Sequence, residues 1–279
     1  MLKFAALSKV ATALVISVVA SNQALAGSLT LFGEIKQGSL IIGKTEKGAT
    51  VTLNDEAILV SEQGNFAFGF GRDEKKAQTL EVTFKDGSKT TRQLTPAAQK
   101  YNIQRVEGIA KKIMQPSKEN AARAKKDAAL VWNTRNITSN RSDFATGFIA
   151  PAKGRITGVY GSQRFYNGKA GRPHYGLDYA GKTGTPVVAP ASGKVVMYVP
   201  DMFYSGGTMI IDHGHGVTST FLHLSASFVK QGDEVKKGQK VAAIGSTGRS
   251  TGPHLDWRVN WKHVKLDPAL ALEAFTHKQ

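Results

Sequence analysis

The sequence predicts a mainly β protein: a compact antiparallel β domain preceded by a small all-β module and a helical linker. Three observations predict it. Apolar residues alternate with small or polar ones at Phe66, Phe68 and Phe70, and again at Leu80, Val82 and Phe84, the period-two signature of half-buried strands. Residues 101–146 then turn charged and helix-forming, and from Gly147 to about Leu272 glycines and β-branched pairs dominate. A chain of 279 residues that is 41% hydrophobic can fill one substantial core and a smaller one, which excludes wholesale disorder and coiled-coil architecture.

Taken in order, residues 1–26 have the pattern of a secretory signal peptide. Lys3 and Lys9 precede an apolar run from Val10 to Ala20, and Ala24, Leu25 and Ala26 supply a small-x-small cleavage signal. That run is about half the roughly 20 residues a membrane-spanning helix needs. No later segment is long and apolar enough to span, so no transmembrane segment is expected after cleavage. Residues 27–100 form the all-β module, punctuated by Lys47-Gly48, Gln63-Gly64-Asn65 and the hairpin pair Asp86-Gly87. In the linker, 101–146, Ser117 is a candidate N-cap with Glu119 in the first turn. Ala121, Ala124, Ala128 and Val131 make one helical stripe, read as a solvated connecting helix rather than a basic binding helix. In residues 147–279 the candidate strands are 156–160, 186–188, 194–199, 208–212, 218–222, 241–244 and 255–261.

Charge and cysteine content narrow the function classes. Lys and Arg number 37 against 21 acids, a formal charge of +16 that points to an anionic partner. Export argues against nucleic acid and for a polymer of the cell wall or envelope. The chain has no cysteine, which excludes disulfides, zinc–thiolate sites and thiol catalysis.

Five of the seven histidines fall between 174 and 254. His174 and Asp178, with Gly176 between them to let the backbone turn, can converge on one cation, and zinc accepts nitrogen with oxygen. His254 and Asp256 stand two apart, so on a strand they share a face. His223 brings an imidazole from another strand. His213 and His215 flank a glycine and read as an exposed hairpin turn rather than a metal pair; His263 and His277 read as surface residues.

The conjunction is specific. Gly161–Arg164, His174–Asp178, Thr185–Pro190, Gly193–Val196, Ile211–Gly214, Phe221–Leu224, Gly232-Asp233 and Gly245–Gly248 through Gly252–Asp256 follow one another in the order of the lysostaphin-type (LytM-type) zinc endopeptidases. The stretch from about Gly154 to Pro268 resembles that family, which acts on peptidoglycan. The resemblance implies one zinc ion, with His174 and Asp178 as ligands and His223 and His254 as catalytic imidazoles that do not bind metal. The family's third ligand is a histidine; here Asp256 occupies that position. Aspartate is a competent zinc ligand on the same face, but two carboxylates neutralise the ion and should weaken its Lewis acidity.

The function this implies is a zinc metalloendopeptidase that remodels the wall, cutting a peptide bond of the peptidoglycan stem or cross-link, with a D-amino-acid cross-link preferred to a glycine bridge. It would work in the periplasm or cell envelope, or be secreted. A different class is a catalytically degenerate peptidoglycan-binding regulator that activates other wall hydrolases. The β module and linker could also lie across the groove and hold an enzyme latent, with Asn167 as an occupant of the open zinc position.

Overall fold

A computed structural model describes residues 27–107, 117–136 and 138–278; the expected signal peptide, residues 1–26, lies outside the described residues. The N-terminal module contains β1 (Leu29–Phe32), β2 (Leu40–Thr45), β3 (Thr50–Leu53), β4 (Glu56–Ile58), β5 (Asn65–Gly69), β6 (Gln78–Thr83) and β7 (Lys89–Leu94). One sheet runs β1-β2-β5 and the other β4-β3-β6-β7. Phe66, Phe68 and Phe70 form the expected stripe and pack with Ile41, Val51, Leu80 and Val82 in a core of their own.

β5 departs from the half-buried reading. Ala67 is also fully buried, and it belongs to the core of the C-terminal domain. A Cβ at Gly69 would lie 2.6 Å from Leu266 Cδ2. The residues between the phenylalanines are small because the other domain presses against that face, not because water does. Leu40 and Ile42 of β2 join the same shared core.

The region expected to be a helical linker contains a strand, β8 (Ile103–Val106), and then, beyond the undescribed residues 108–116, one helix, α1 (Lys118–Thr134). Ser117 caps α1 by accepting the Asn120 N–H at 3.2 Å, with Glu119 in the first turn, where the helix dipole favours an acid. Most of α1 is exposed. Its contact edge is narrow: Val131 packs on Met197, Met202 and Ile210, Thr134 is buried, and Asp127 accepts the Phe203 N–H at 2.7 Å.

The C-terminal domain contains β9 (Ile156–Gly158), β10 (Gln163–Tyr166), β11 (Lys169–Ala170), β12 (Leu177–Ala180), β13 (Pro186–Val188), β14 (Gly193–Met202), β15 (Gly206–Gly214), β16 (Val217–Ser227), β17 (Glu234–Val235), β18 (Lys240–Ile244), β19 (His254–Trp261) and β20 (Val264–Leu266). The main sheet runs β17-β14-β15-β16-β19-β12-β9, with β13, β18 and β20 attached at its side. All its described pairings are antiparallel. β8 instead adds in parallel to β10, fastening the linker to this domain.

One face of the main sheet is core. Leu255, Trp257 and Val259 of β19 point into it with Phe221 of β16 and Met209 and Ile211 of β15. Alternation then puts His254, Asp256 and Arg258 on the opposite face. No described helix is long and apolar enough to cross a membrane.

Candidate metal centre

The site is built on two neighbouring strands. Asp178 of β12 and Asp256 of β19 are directly opposed partners, so their carboxylates share a face. His174 approaches from the segment before β12, where its N–H donates to Ser162 O at 2.8 Å and its carbonyl accepts the Gly161 N–H at 2.8 Å. One ligand atom from each of His174, Asp178 and Asp256 lies within 4.8 Å of the others. Asp256 is buried, whereas His174 and Asp178 keep partly open edges.

Two glycines make room for the carboxylates. A Cβ at Gly176 would lie 1.9 Å from Asp256 Oδ1, and one at Gly158 would lie 2.2 Å from Asp178 Oδ2. Gly176 is therefore needed for close approach, and not for the turn that the sequence suggested.

Two carboxylates facing each other repel unless something neutralises them. Arg258 does part of this. Its Nε lies 3.0 and 3.1 Å from the two Asp256 oxygens, and its Nη2 donates to Oδ2 at 2.6 Å. Burial would push the Asp256 carboxyl up, but Arg258 first, then His174 and His223, outweigh burial and hold it below the ordinary carboxylate range. For His174, burial pulls downward, while Asp178 and Asp256 prevail and raise its pKa.

The chemistry of the donor set fits a divalent cation. His174 Nε2 and Asp178 Oδ1 form an ion pair at 3.1 Å, and beyond each other neither buried atom has a hydrogen-bond partner among the described residues. Buried polar atoms rarely stay unsatisfied, and a cation between them satisfies both at once. The three ligand atoms, all within 4.8 Å of one another, are close enough to be shared by a single ion.

The two imidazoles sit beside this cluster. The His223 and His254 rings are 4.7 Å apart. His223 Nδ1 lies 2.8 Å from Thr247 O, and His254 Nδ1 lies 2.8 Å from Gly252 O. A carbonyl can only accept, so each Nδ1 carries a proton, and in the neutral form of each ring the lone pair is on Nε2. Burial, and then the neighbouring His254 and Arg258, lower the His223 pKa against opposing contacts to Thr247 and Asp256.

Simple alternation would point His223 into the core with Phe221. A register shift in β16 intervenes, and His223 adopts φ 63°. This bulge turns its ring onto the groove face.

The other histidines are elsewhere. His213 and His215 are buried, at 0% and 3% exposure, which corrects the expectation of an exposed turn. His213 Nδ1 lies 2.7 Å from Ser192 O and its Nε2 2.9 Å from Ser219 Oγ. The turn carrying His215 is covered by the linker, through Ser139 O, which accepts the His215 N–H at 3.0 Å, and the Phe144 ring 5.1 Å away. His263 stacks on Trp132 at 3.6 Å and His277 pairs with Glu34 at 3.3 Å. Asn167 sits at the turn between β10 and β11, its N–H donating to Val106 O.

Sequence reasoning passed over Arg258, Gly158 and Thr247. Arg258 was findable, because it stands two residues beyond Asp256 on the same strand. Thr247 lies inside the Gly245–Gly248 stretch of the resemblance, though nothing there gave it a role, and nothing local marks Gly158, which reaches the site only through strand pairing.

A sheet face that brings a His–Asp–Asp cluster beside two imidazoles has the donor set and proton-handling groups that a metallopeptidase needs. The comparisons agree with that class: residues 172–268 match Peptidase family M23. Peptidoglycan DD-endopeptidase ShyA of Vibrio cholerae is 30% identical over 230 residues, which cover 82% of this chain and 50% of ShyA. Peptidoglycan DD-endopeptidase ShyB of the same organism is 44% identical over 95 residues, 34% of this chain and 22% of ShyB. A crystal structure of an M23-assigned protein of Pseudomonas aeruginosa superposes with TM-score 0.66 at 27% identity, covering 88% of this chain and 97% of that one. Residues 172–268 form a domain of peptidase family M23. The chain spans half or less of the length of these curated relatives.

Proposed function

We propose that this chain is a zinc-dependent endopeptidase that hydrolyses peptide bonds in the stem or cross-link peptides of peptidoglycan, acting in the cell envelope. The observation that carries the reading is the pair of imidazoles with free Nε2 atoms beside the His174–Asp178–Asp256 cluster. A purely structural metal site has no use for two such rings. A D-amino-acid cross-link is the favoured substrate, in keeping with the DD-endopeptidase names of ShyA and ShyB. The positive charge of the chain suits an anionic wall.

In this reading His174, Asp178 and Asp256 hold the ion. A divalent ion bound there supplies Lewis acidity toward the scissile carbonyl and toward water. His223 and His254 handle the protons: one Nε2 accepts from the attacking water, and the other, protonated, steadies the developing oxyanion or donates to the leaving amine. Thr247 O and Gly252 O keep both rings in the tautomer this requires. Arg258 fixes the Asp256 carboxylate and returns a positive charge to a site that two carboxylates would leave neutral around a divalent ion.

The test is turnover of a purified cross-linked muropeptide dimer. The zinc-loaded chain should convert it to monomers with uptake of one water per bond, and chelation should stop the reaction. A second reading, the binding regulator, is favoured by the grip of Arg258 on Asp256, which could keep that carboxylate from a metal. It requires that the zinc-treated chain bind the dimer and leave it uncut.

A further inference from the structure

The groove face carries more positive charge than the metal centre uses. Arg135, at the C-terminal end of α1, reaches onto β16, where its Nη2 donates to Thr220 Oγ1 at 2.9 Å. Its Nε is buried and has no partner among the described residues. Thr220 is the direct cross-strand partner of Arg258, so the two guanidiniums meet on the face that bears Asp256. Lys265 on β20 stands opposite Asn260, also two positions along β19 from Arg258, and its Nζ lies 4.1 Å over the Tyr175 ring. Arg172 precedes His174 by two residues.

Among the described residues only Arg258 in this group has an acidic partner, Asp256. The charges of the others are felt as repulsion. Burial lowers the Lys265 pKa, and Arg172, Arg258 and Arg135 lower it further. Burial and then Arg258 bring Arg135 down to about 10. Asp178 also acts on Arg258, but four cations against two carboxylates that a metal would engage are still in excess, which is unfavourable unless an anion joins them.

We propose that Arg135, Lys265 and Arg258, with Thr220 beneath them, form a subsite for a free carboxylate of the peptide substrate. This rests on the endopeptidase reading and extends it. Two strand residues span about 7 Å, and an extended peptide advances about 3.4 Å per residue, so the recognised carboxylate lies one or two residues from the scissile bond. Stem peptides carry such carboxylates, whereas an amidated or glycine-only bridge does not. The linker then contributes a side chain to substrate binding and is more than a tether.

The experiment is calorimetric titration of the metal-free full-length chain, so that neither turnover nor metal–carboxylate bonding intervenes. The probes are a synthetic peptide ending in D-alanyl-D-alanine and the same peptide with its C-terminus amidated. A charge-assisted pair predicts about tenfold or more tighter binding of the acid than of the amide. Arg135→Gln and, separately, Lys265→Gln should remove most of that preference while leaving amide binding and Tm unchanged. Equal affinity of the native chain for acid and amide would overturn the proposal. So would an Arg135→Gln protein that loses both peptides equally with a lowered Tm, which marks a structural role. Displacement of the acid by inorganic phosphate but not by acetate would overturn it too, in favour of a phosphate site. Failure of the endopeptidase reading shows separately, as zinc-loaded protein that binds the acid preferentially but hydrolyses no cross-link.

Discussion

His254 and His223 illustrate how a backbone carbonyl sets the chemistry of a side chain. Each Nδ1 is occupied by a carbonyl oxygen 2.8 Å away, leaving Nε2 as the only atom that can take a proton. Replacing His254 with Ala should lower cross-link hydrolysis by about 10²–10⁴-fold, the usual worth of a general acid or base, with zinc content by elemental analysis unchanged. Loss of zinc along with activity would mean that His254 is a ligand. Arg258 acts at the same scale by a different route. In Arg258→Met, the Asp256 carboxylate faces Asp178 without its cationic partner, a change of about 2 kcal/mol once partial exposure of the guanidinium is allowed for. Bound metal replaces part of the lost charge. The variant should therefore lose more thermal stability without metal than with it, and an equal loss in both forms would deny Arg258 its role in managing Asp256.

At the scale of the element, the site depends on two irregularities in otherwise regular strands. The bulge in β16 moves His223 from the core face to the groove face, and the bare Cα atoms of Gly158 and Gly176 let neighbouring carboxylates approach. Gly176→Ala places a methyl group 1.9 Å from Asp256 Oδ1, so Asp256 must move. Zinc affinity by competition with a chelating dye should fall at least tenfold, while the far-UV circular dichroism of the sheet is retained. Much of β13, β18 and β19 was legible in the sequence to within a residue, because alternation is a local property. The pairing of His254 with Asp256 on one face followed from the same rule. β8 was not legible: its partner β10 lies some sixty residues away, and four residues, Ile-Gln-Arg-Val, are too short a run to show a period. The bulge was equally hidden, since period two would have buried His223. His213 and His215 were misread because a His-Gly-His turn looks solvated until the module and linker are packed over it.

The whole molecule is held together by a core that crosses the domain boundary. Leu40, Ile42 and Ala67 of the module join the core of the peptidase domain, and β8 extends that domain's strands. Buried in this assembly, His213 is harder to protonate than a free imidazole: burial lowers its pKa from 6.5, and the Ser192 contact and nearby Asp212 only partly oppose this. Above 6.5 neither folded nor unfolded His213 is protonated and stability is unaffected; below it the unfolded chain gains a proton that the folded chain refuses. Stability should therefore fall as pH drops from 6.5, by up to about 1.4 kcal/mol per pH unit for this one group, and thermal melts of His213→Gln should show a shallower acid slope than the native chain. An unchanged slope would show that the acid sensitivity lies elsewhere.

Hydrolysis of wall peptides at this face, with His174, Asp178 and Asp256 around a metal, can be read on intact sacculi. Purified peptidoglycan is incubated with the zinc-loaded chain, with and without a chelator, and the soluble products are identified by mass spectrometry. The expected result is chelator-sensitive release of fragments cut at peptide bonds, each cut adding one water, with the glycan strands unbroken. Sacculi left whole by protein that demonstrably holds zinc would contradict it.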